Sequence, residues 1–199
     1  MRNVLVVMSS LDSEKLASVQ FSKSLGLSLG VVYSMPERVP DDCRGLSLCR
    51  LSFTKQPNTK PLYSFLEETF IPDLIIVFDC YEKQILKGLY GVGCPVIKIV
   101  EGAGDYCMRG DYRYRSQFSC ELPTTLKCLS SCWAFTCSKR SYFHQRELIQ
   151  YWKQSHVIVT DSEDHRVALL ANDMSEDVIQ LSSGSLLETL THVVADFGL

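Results

Sequence analysis

Carboxylates and hydroxyls gather just past the ends of apolar runs in this chain. Ser9 and Ser10 follow the run at 4–8, and Asp79 follows the run at 74–78. Glu101 closes the run at 96–100, with Gly102 and Asp105 close behind it, and Asp161, Ser162 and Glu163 close the run at 156–160. Side chains of these types could hydrogen-bond the hydroxyls of a sugar, and a carboxylate in a dry site could serve as a base. Each also has a plainer role. Asp79 is placed to cap a helix starting near Tyr81, Ser9 and Ser10 to cap the first helix, and Asp161, Ser162 and Glu163 to open another. Glu101, Gly102 and Asp105 fit a solvated tight turn equally well. No residue is assigned a catalytic role by spacing alone.

Other constellations exclude more than they suggest. Gly102-Ala103-Gly104 lacks the third glycine and ordered helix start of a dinucleotide fingerprint. His144, His156, His165 and His192 are dispersed, and no serine or cysteine has a triad setting, so hydrolase chemistry has no support. Arg109, Arg113 and Arg115, interleaved with Tyr112 and Tyr114, could bind a phosphate or stack on a sugar, although such clusters are usually loop surface. Nine cysteines include a cluster at Cys120, Cys128, Cys132 and Cys137. A helix through 127–137 would set Cys128 and Cys132 one turn apart, within reach of a common metal. That spacing matches no zinc or ferredoxin pattern, so packed thiols are expected and no metal site or cofactor is assigned.

The elements that must position these groups follow from periodicity. Predominantly apolar runs at 4–8, 29–33, 74–78, 96–100 and 156–160 predict buried strands, and 46–53 and 177–181 predict two more. Between them, Leu16, Val19, Phe21 and Leu25 mark a helix ending near Gly26, and Leu62, Phe65, Leu66 and Phe70 line another. Further helices are predicted over 81–90, from an acidic start at 161–164 through the amphipathic segment before Asp177, and over 185–195. Strands alternating with helices predict an α/β Rossmann-like three-layer domain with a mainly parallel sheet. From about 106 to 152 no strand pattern appears; a helical insertion is expected there, with helices near 124–135 and from 138 or 141 to 152. A chain of 199 residues without a linker or repeat reads as a single domain over 1–199. In such a sheet, ligands collect outside the carboxyl ends of the strands.

Bulk properties narrow the partners. The formal net charge of −3 supplies no basic field for a nucleic-acid backbone. The first apolar run is too short for a signal-peptide core, and nothing approaches the roughly 20 apolar residues of a membrane span, so no transmembrane segment and a cytoplasmic location are expected.

Three segments carry a family resemblance. LDSEKLASVQFSKSLGLSLGVVYS (11–34) is similar to the first helix and second strand of the amino-terminal half of a GT-B glycosyltransferase, family-4 type. The pair PDLIIVFD (72–79) and CPVIKIVEG (94–102) resembles its central strands. The segment SHVIVTDSEDHRVALLANDMSEDVIQLSSG (155–184) resembles its closing strand–helix–strand unit, which ends in glycine at the hinge to the second domain. The match spans nearly the whole chain through moderately specific patterns. Departures from the family are Ser9-Ser10-Leu11 in place of the usual glycine pair, no histidine after the middle strand, and no donor-binding domain within this sequence.

The resemblance implies the acceptor-side half of a sugar-transferring enzyme. A sugar-bearing acceptor would bind beside Ser9, Ser10, Asp79, Glu101, Gly102, Asp105, Ser162 and Glu163, and a separate donor-binding glycosyltransferase domain or subunit would bring the nucleotide sugar. Two other readings stay open: a noncatalytic binding or assembly protein on the same fold, and a flavodoxin-like regulatory domain, for which the first loop lacks a phosphate-cradling pattern.

Overall fold

The computed structural model describes residues 2–11, 15, 17, 26–35, 43, 45–51, 58–102, 105, 113–114, 118–119, 142–182 and 184–198. Seven strands form one sheet: β1 (Asn3–Ser10), β2 (Ser28–Met35), β3 (Ser47–Arg50), β4 (Leu74–Val77), β5 (Val96–Val100), β8 (Val157–Thr160) and β9 (Ile179–Leu181). Their spatial order is β3-β2-β1-β4-β5-β8-β9, and every pairing is parallel. The order therefore reverses between β1 and β4. A reversal of this kind opens a crevice at the carboxyl ends of the two strands, because their connections leave toward opposite faces.

Alternating side chains divide the core into two layers. Leu5, Val7, Ile75, Val77, Val96 and Val100 face one side. They pack there against α1 (Lys60–Ser64, continuing through a π-turn at Phe65–Thr69), α2 (Lys83–Tyr90), α3 (Tyr142–Trp152) and α4 (Glu163–Leu170). Val4, Val6, Met8, Leu74, Ile76, Phe78, Ile97 and Ile99 face the other, against α5 (Leu186–Asp196). Strands covered on both faces are mostly apolar, which is why they read as near-continuous runs. The three-layer Rossmann-like α/β fold expected from the sequence is what forms.

Some details differ from expectation. Glu176–Val178 is a 3-10 turn, so the last strand starts at Ile179, two residues later than the hydropathy suggests. Within the region expected to hold only helices, β6 (Arg113–Tyr114) and β7 (Phe118–Ser119) pair antiparallel. Two residues per strand are too few to leave a periodic signal. Of the first predicted helix, Lys15 and Ala17 are described and helical, while the helix near 124–135 and the cysteines at 120, 128, 132 and 137 lie outside the described residues. Cys43, Cys49 and Cys80 are buried, and burial pushes the Cys80 thiol up to about 12. Among the described residues no group of three or more His, Cys, Asp or Glu side chains could hold a metal ion, and no helix is long and apolar enough to cross a membrane.

Candidate functional site

The reversal point brings β1 and β4 together at their carboxyl ends, and the first contact there joins Ser9 to Asp79. The Ser9 N–H donates to Asp79 Oδ1 at 2.7 Å, and the Ser9 hydroxyl donates to Oδ2. Asp79 is thus committed across the sheet and does not cap α2, whose N-cap is Glu82 with no side-chain capping bond. The end of β5, next in order, delivers Glu101. Lys15 joins the two carboxylates, its Nζ lying 3.3 Å from Asp79 Oδ2 and 3.1 Å from Glu101 Oε2. It also stands 5.9 Å from the centre of the Phe78 ring.

One ammonium between two carboxylates leaves this cluster with a net negative charge, and the surroundings treat the two acids differently. Burial raises the pKa of Asp79, but the Ser9 hydrogen bonds and Lys15 outweigh it and hold the carboxyl below its ordinary value. For Glu101 burial prevails over Lys15 and Lys98, and the pKa rises. Burial lowers that of Lys15, but its two carboxylate partners outweigh this and leave it raised. Two acids sharing one cation are therefore pushed apart in acidity, one toward permanent charge and the other toward proton exchange.

A cavity of about 480 Å³ opens beside this cluster and runs along the ends of β5, β8 and β9 to the start of α5. Its size falls within the roughly 300–1,000 Å³ of small-molecule sites. Lys15, Glu101, Thr160, Asp161, Ser182 and Ser185 supply its polar wall, and Ile99, Val159, Leu186 and Leu187 much of its apolar one. Thr160 is 1% exposed, and its Oγ1 has no hydrogen-bond partner among the described residues. Such an orphan costs about 1–3 kcal/mol unless something answers it. At the far wall Ser185 caps α5: its Oγ accepts from the Glu188 N–H at 3.2 Å, while the Glu188 carboxylate accepts from the Ser185 N–H at 3.3 Å. The positive end of this helix dipole therefore lies at the cavity rim.

The expected site residues divide into those that meet here and those that do not. Ser9, Asp79 and Glu101 converge through Lys15. Ser10 ends β1 in register with Met35. Gly102 accepts through its carbonyl from the Asp105 N–H at 3.1 Å, closing the expected turn; a Cβ there would meet open space, so the turn does not require glycine. Asp105 is buried and ion-paired to Lys98 at 2.6 Å. Ser162 is the N-cap of α4 without a side-chain capping bond, and Glu163 pairs with Arg166 at 2.6 Å on the exposed side. Neither Ser162 nor Glu163 lines the cavity, whereas Asp161 does. Arg113 and Tyr114 form β6, and Arg109, Tyr112 and Arg115 lie outside the described residues.

Sequence reasoning missed Lys15, Thr160 and Ser185, whereas Ser182 lies just past Leu181, where the end of the last predicted strand points to chemistry. Lys15 had a usable signal: a helix that follows the first strand sets its opening turn over the crevice, and Lys15 is the first basic residue after that strand. Thr160 had one too, as the polar last residue of a buried run.

No protein-family profile matches the chain, and no curated protein matches it in sequence. Among solved structures it is similar to a UDP-N-acetylglucosamine 2-epimerase from Rickettsia bellii, at a TM-score of 0.55 and 15% identity, over 98% of this chain and 48% of that one. A Glycyrrhiza uralensis UGT73P12 complexed with glycyrrhetinic acid 3-O-monoglucuronide aligns at 0.47 and 10% identity, over 94% of this chain and 49% of that one. A short-chain dehydrogenase/reductase from Veillonella parvula aligns at 0.41 and 12% identity, over 80% and 68%. The last two scores are too low to bear on function or fold. The likeness to the epimerase supports a GT-B-like fold, and the chain spans about half the length of that protein.

Proposed function

We propose that this chain is one lobe of a GT-B-type enzyme acting on a sugar, similar to the acceptor-side half of a family-4 glycosyltransferase. The observation that carries the reading is the bridge from Asp79 through Lys15 to Glu101, set at the sheet's reversal point against a cavity of small-molecule size. A sugar-bearing acceptor in that cavity would find carboxylates to accept from its hydroxyls, and the Thr160 hydroxyl and Lys15 to donate to its oxygens. A donor-binding domain or subunit would supply the nucleotide sugar. This lobe then contributes position and electrostatic stabilisation.

A specific observation favours a second reading within the same fold. Epimerisation by proton exchange takes a proton from one face of a carbon and returns one to the other, and the unequal acidities of Asp79 and Glu101 suit such exchange. Under it Glu101 moves the proton while Asp79 stays charged and holds Lys15. The Rickettsia bellii protein, an epimerase by name, shares this fold, which supports the reading.

One experiment separates these readings. The purified chain is titrated calorimetrically with a panel of nucleotide sugars and acceptor sugars, then incubated with whichever binds in D₂O. Epimerisation predicts solvent deuterium at the sugar carbon. Transfer predicts turnover of a nucleotide sugar only with an acceptor and a donor-binding partner. Saturable binding without turnover under either condition would identify a noncatalytic sugar-binding protein, and no binding to any member would overturn the sugar reading.

A further inference from the structure

Lys98 stands in the middle of β5, a strand buried on both faces, and is itself fully buried. A lysine there must satisfy three donors without water. It does so by gathering separate parts of the fold. Its Nζ donates to the carbonyls of Phe78 and Ile99, pairs with Asp105 Oδ1 at 2.6 Å, and lies 4.8 Å from the centre of the Trp152 ring. The other oxygen of Asp105 accepts from the Glu101 N–H at 3.3 Å. The Asp105 carbonyl in turn accepts from Gln145 Nε2 at 2.8 Å and Trp152 Nε1 at 3.1 Å, which ties the loop to α3.

The chain positions of these contacts matter. Phe78 immediately precedes Asp79, and the Glu101 amide belongs to the second carboxylate of the crevice. One buried ammonium therefore grips the backbone beside Asp79 directly and the backbone of Glu101 through Asp105. We infer that Lys98, with Asp105, is a positioning residue: it fixes the ends of β4 and β5 so that Asp79 and Glu101 stand at the separation Lys15 spans. A residue serving only the core would be replaced at lower cost by an apolar side chain, because burying an ion pair gains little stability over well-packed hydrophobic groups.

This assignment rests on the crevice being the functional site, but its test needs no ligand and so fails or succeeds apart from the sugar reading. The variant is Lys98→Met combined with Asp105→Leu, which removes both charges together and leaves the Asp105 carbonyl to hold Gln145 and Trp152. Two readings are taken on the full chain. The first is hydrogen exchange of the Ser9 amide, which is bonded to Asp79, relative to the Val6 amide in mid-strand. The second is the Asp79 carboxyl titration by carbon NMR. Asp79 is a suitable reporter because Ser9 and Lys15 are the partners that lower its pKa, and the double variant removes the Lys98 and Asp105 charges together as a neutral pair. The expected result is a folded variant whose Ser9 amide exchanges at least about tenfold faster, a factor equivalent to 1.4 kcal/mol of opening free energy. Asp79 should then titrate nearer the ordinary aspartate value of about 3.9. A folded variant with both readings at their wild-type values would overturn the assignment. Should the double variant not fold, Asp105→Asn leaves one acceptor oxygen where Asp105 has two, so either Lys98 or the Glu101 amide meets an N–H donor instead of an acceptor. Both readings should then move the same way, and a folded Asp105→Asn protein unchanged in both would sink the inference equally.

Discussion

Asp79 and Glu101 end neighbouring strands and share one lysine, yet their environments set them to different tasks. Because contacts with Ser9 and Lys15 depress the folded-state pKa of Asp79, its contribution to stability is present above the unfolded value and lost as pH falls through the folded one. Ser9→Ala removes the hydroxyl donor. We expect it to cost about 1.5 kcal/mol near neutral pH, the size of a hydrogen bond to a charged group. Urea unfolding at a series of pH values should show that difference shrinking below about pH 4, near the ordinary aspartate value. Glu101 has the opposite sign. Its raised folded pKa means that the ionised form opposes folding, and this opposition is relieved as pH falls. Glu101→Gln should accordingly fold with at least wild-type stability at neutral pH, and on the proton-exchange reading proposed above turnover should fall by about 10²–10⁴-fold, the usual size of an acid–base contribution. Unchanged turnover in a folded Glu101→Gln protein would remove Glu101 from the chemistry.

At the scale of elements, packing sets where small residues are needed. Gly30 in β2 faces the buried Phe70 ring; a Cβ there would lie 2.9 Å from the ring carbons. Phe70 is itself stacked on Phe65 with ring centres 5.8 Å apart and has little room to yield. Gly30→Ala should therefore cost about 1–3 kcal/mol, the usual price of overpacking, measurable as a lower urea midpoint at unchanged slope. Loss of the α5 capping box in Ser185→Ala should cost about 0.5–2 kcal/mol and loosen the cavity rim, read as faster exchange of the Glu188 amide. Strands of the main sheet were the legible part of this fold, because strands covered on both sides are written as mostly apolar runs. VIKIV at 96–100 matches β5 at both ends. The same run held an unread signal: a lysine inside a doubly covered strand must find buried partners, and Lys98 finds them in Asp105 and two carbonyls. Of the two roles open to Asp79, helix capping is the one the structure removes; sequence shows the helix that follows but not the neighbouring strand, and Ser9 lies 70 residues away in the chain. The pairing of β6 with β7 was invisible for want of length.

For the molecule as a whole, parallel order and a single reversal put the ends of β1, β4, β5, β8 and β9 along one edge of the sheet. One edge can therefore hold both the charged bridge and the cavity, although their residues come from segments spread between Lys15 and Leu187. The chain spans about half the length of the epimerase whose fold it shares, and on the reading proposed above a second lobe would add its own contacts to a ligand held here, since ligand sites favour domain interfaces. Affinity of this chain alone should accordingly be modest and rise when a donor-binding partner is supplied. The most direct test is carbon and nitrogen NMR of the labelled chain titrated with nucleotide sugars and free sugars. The account predicts saturable shifts centred on the cavity-lining Lys15, Glu101, Thr160, Asp161 and Ser182, reaching Asp79 and Ser9 through their contacts with Lys15 and with each other, and abolished in Lys15→Met. Shifts that saturate elsewhere on the surface, or that persist in Lys15→Met, would contradict it.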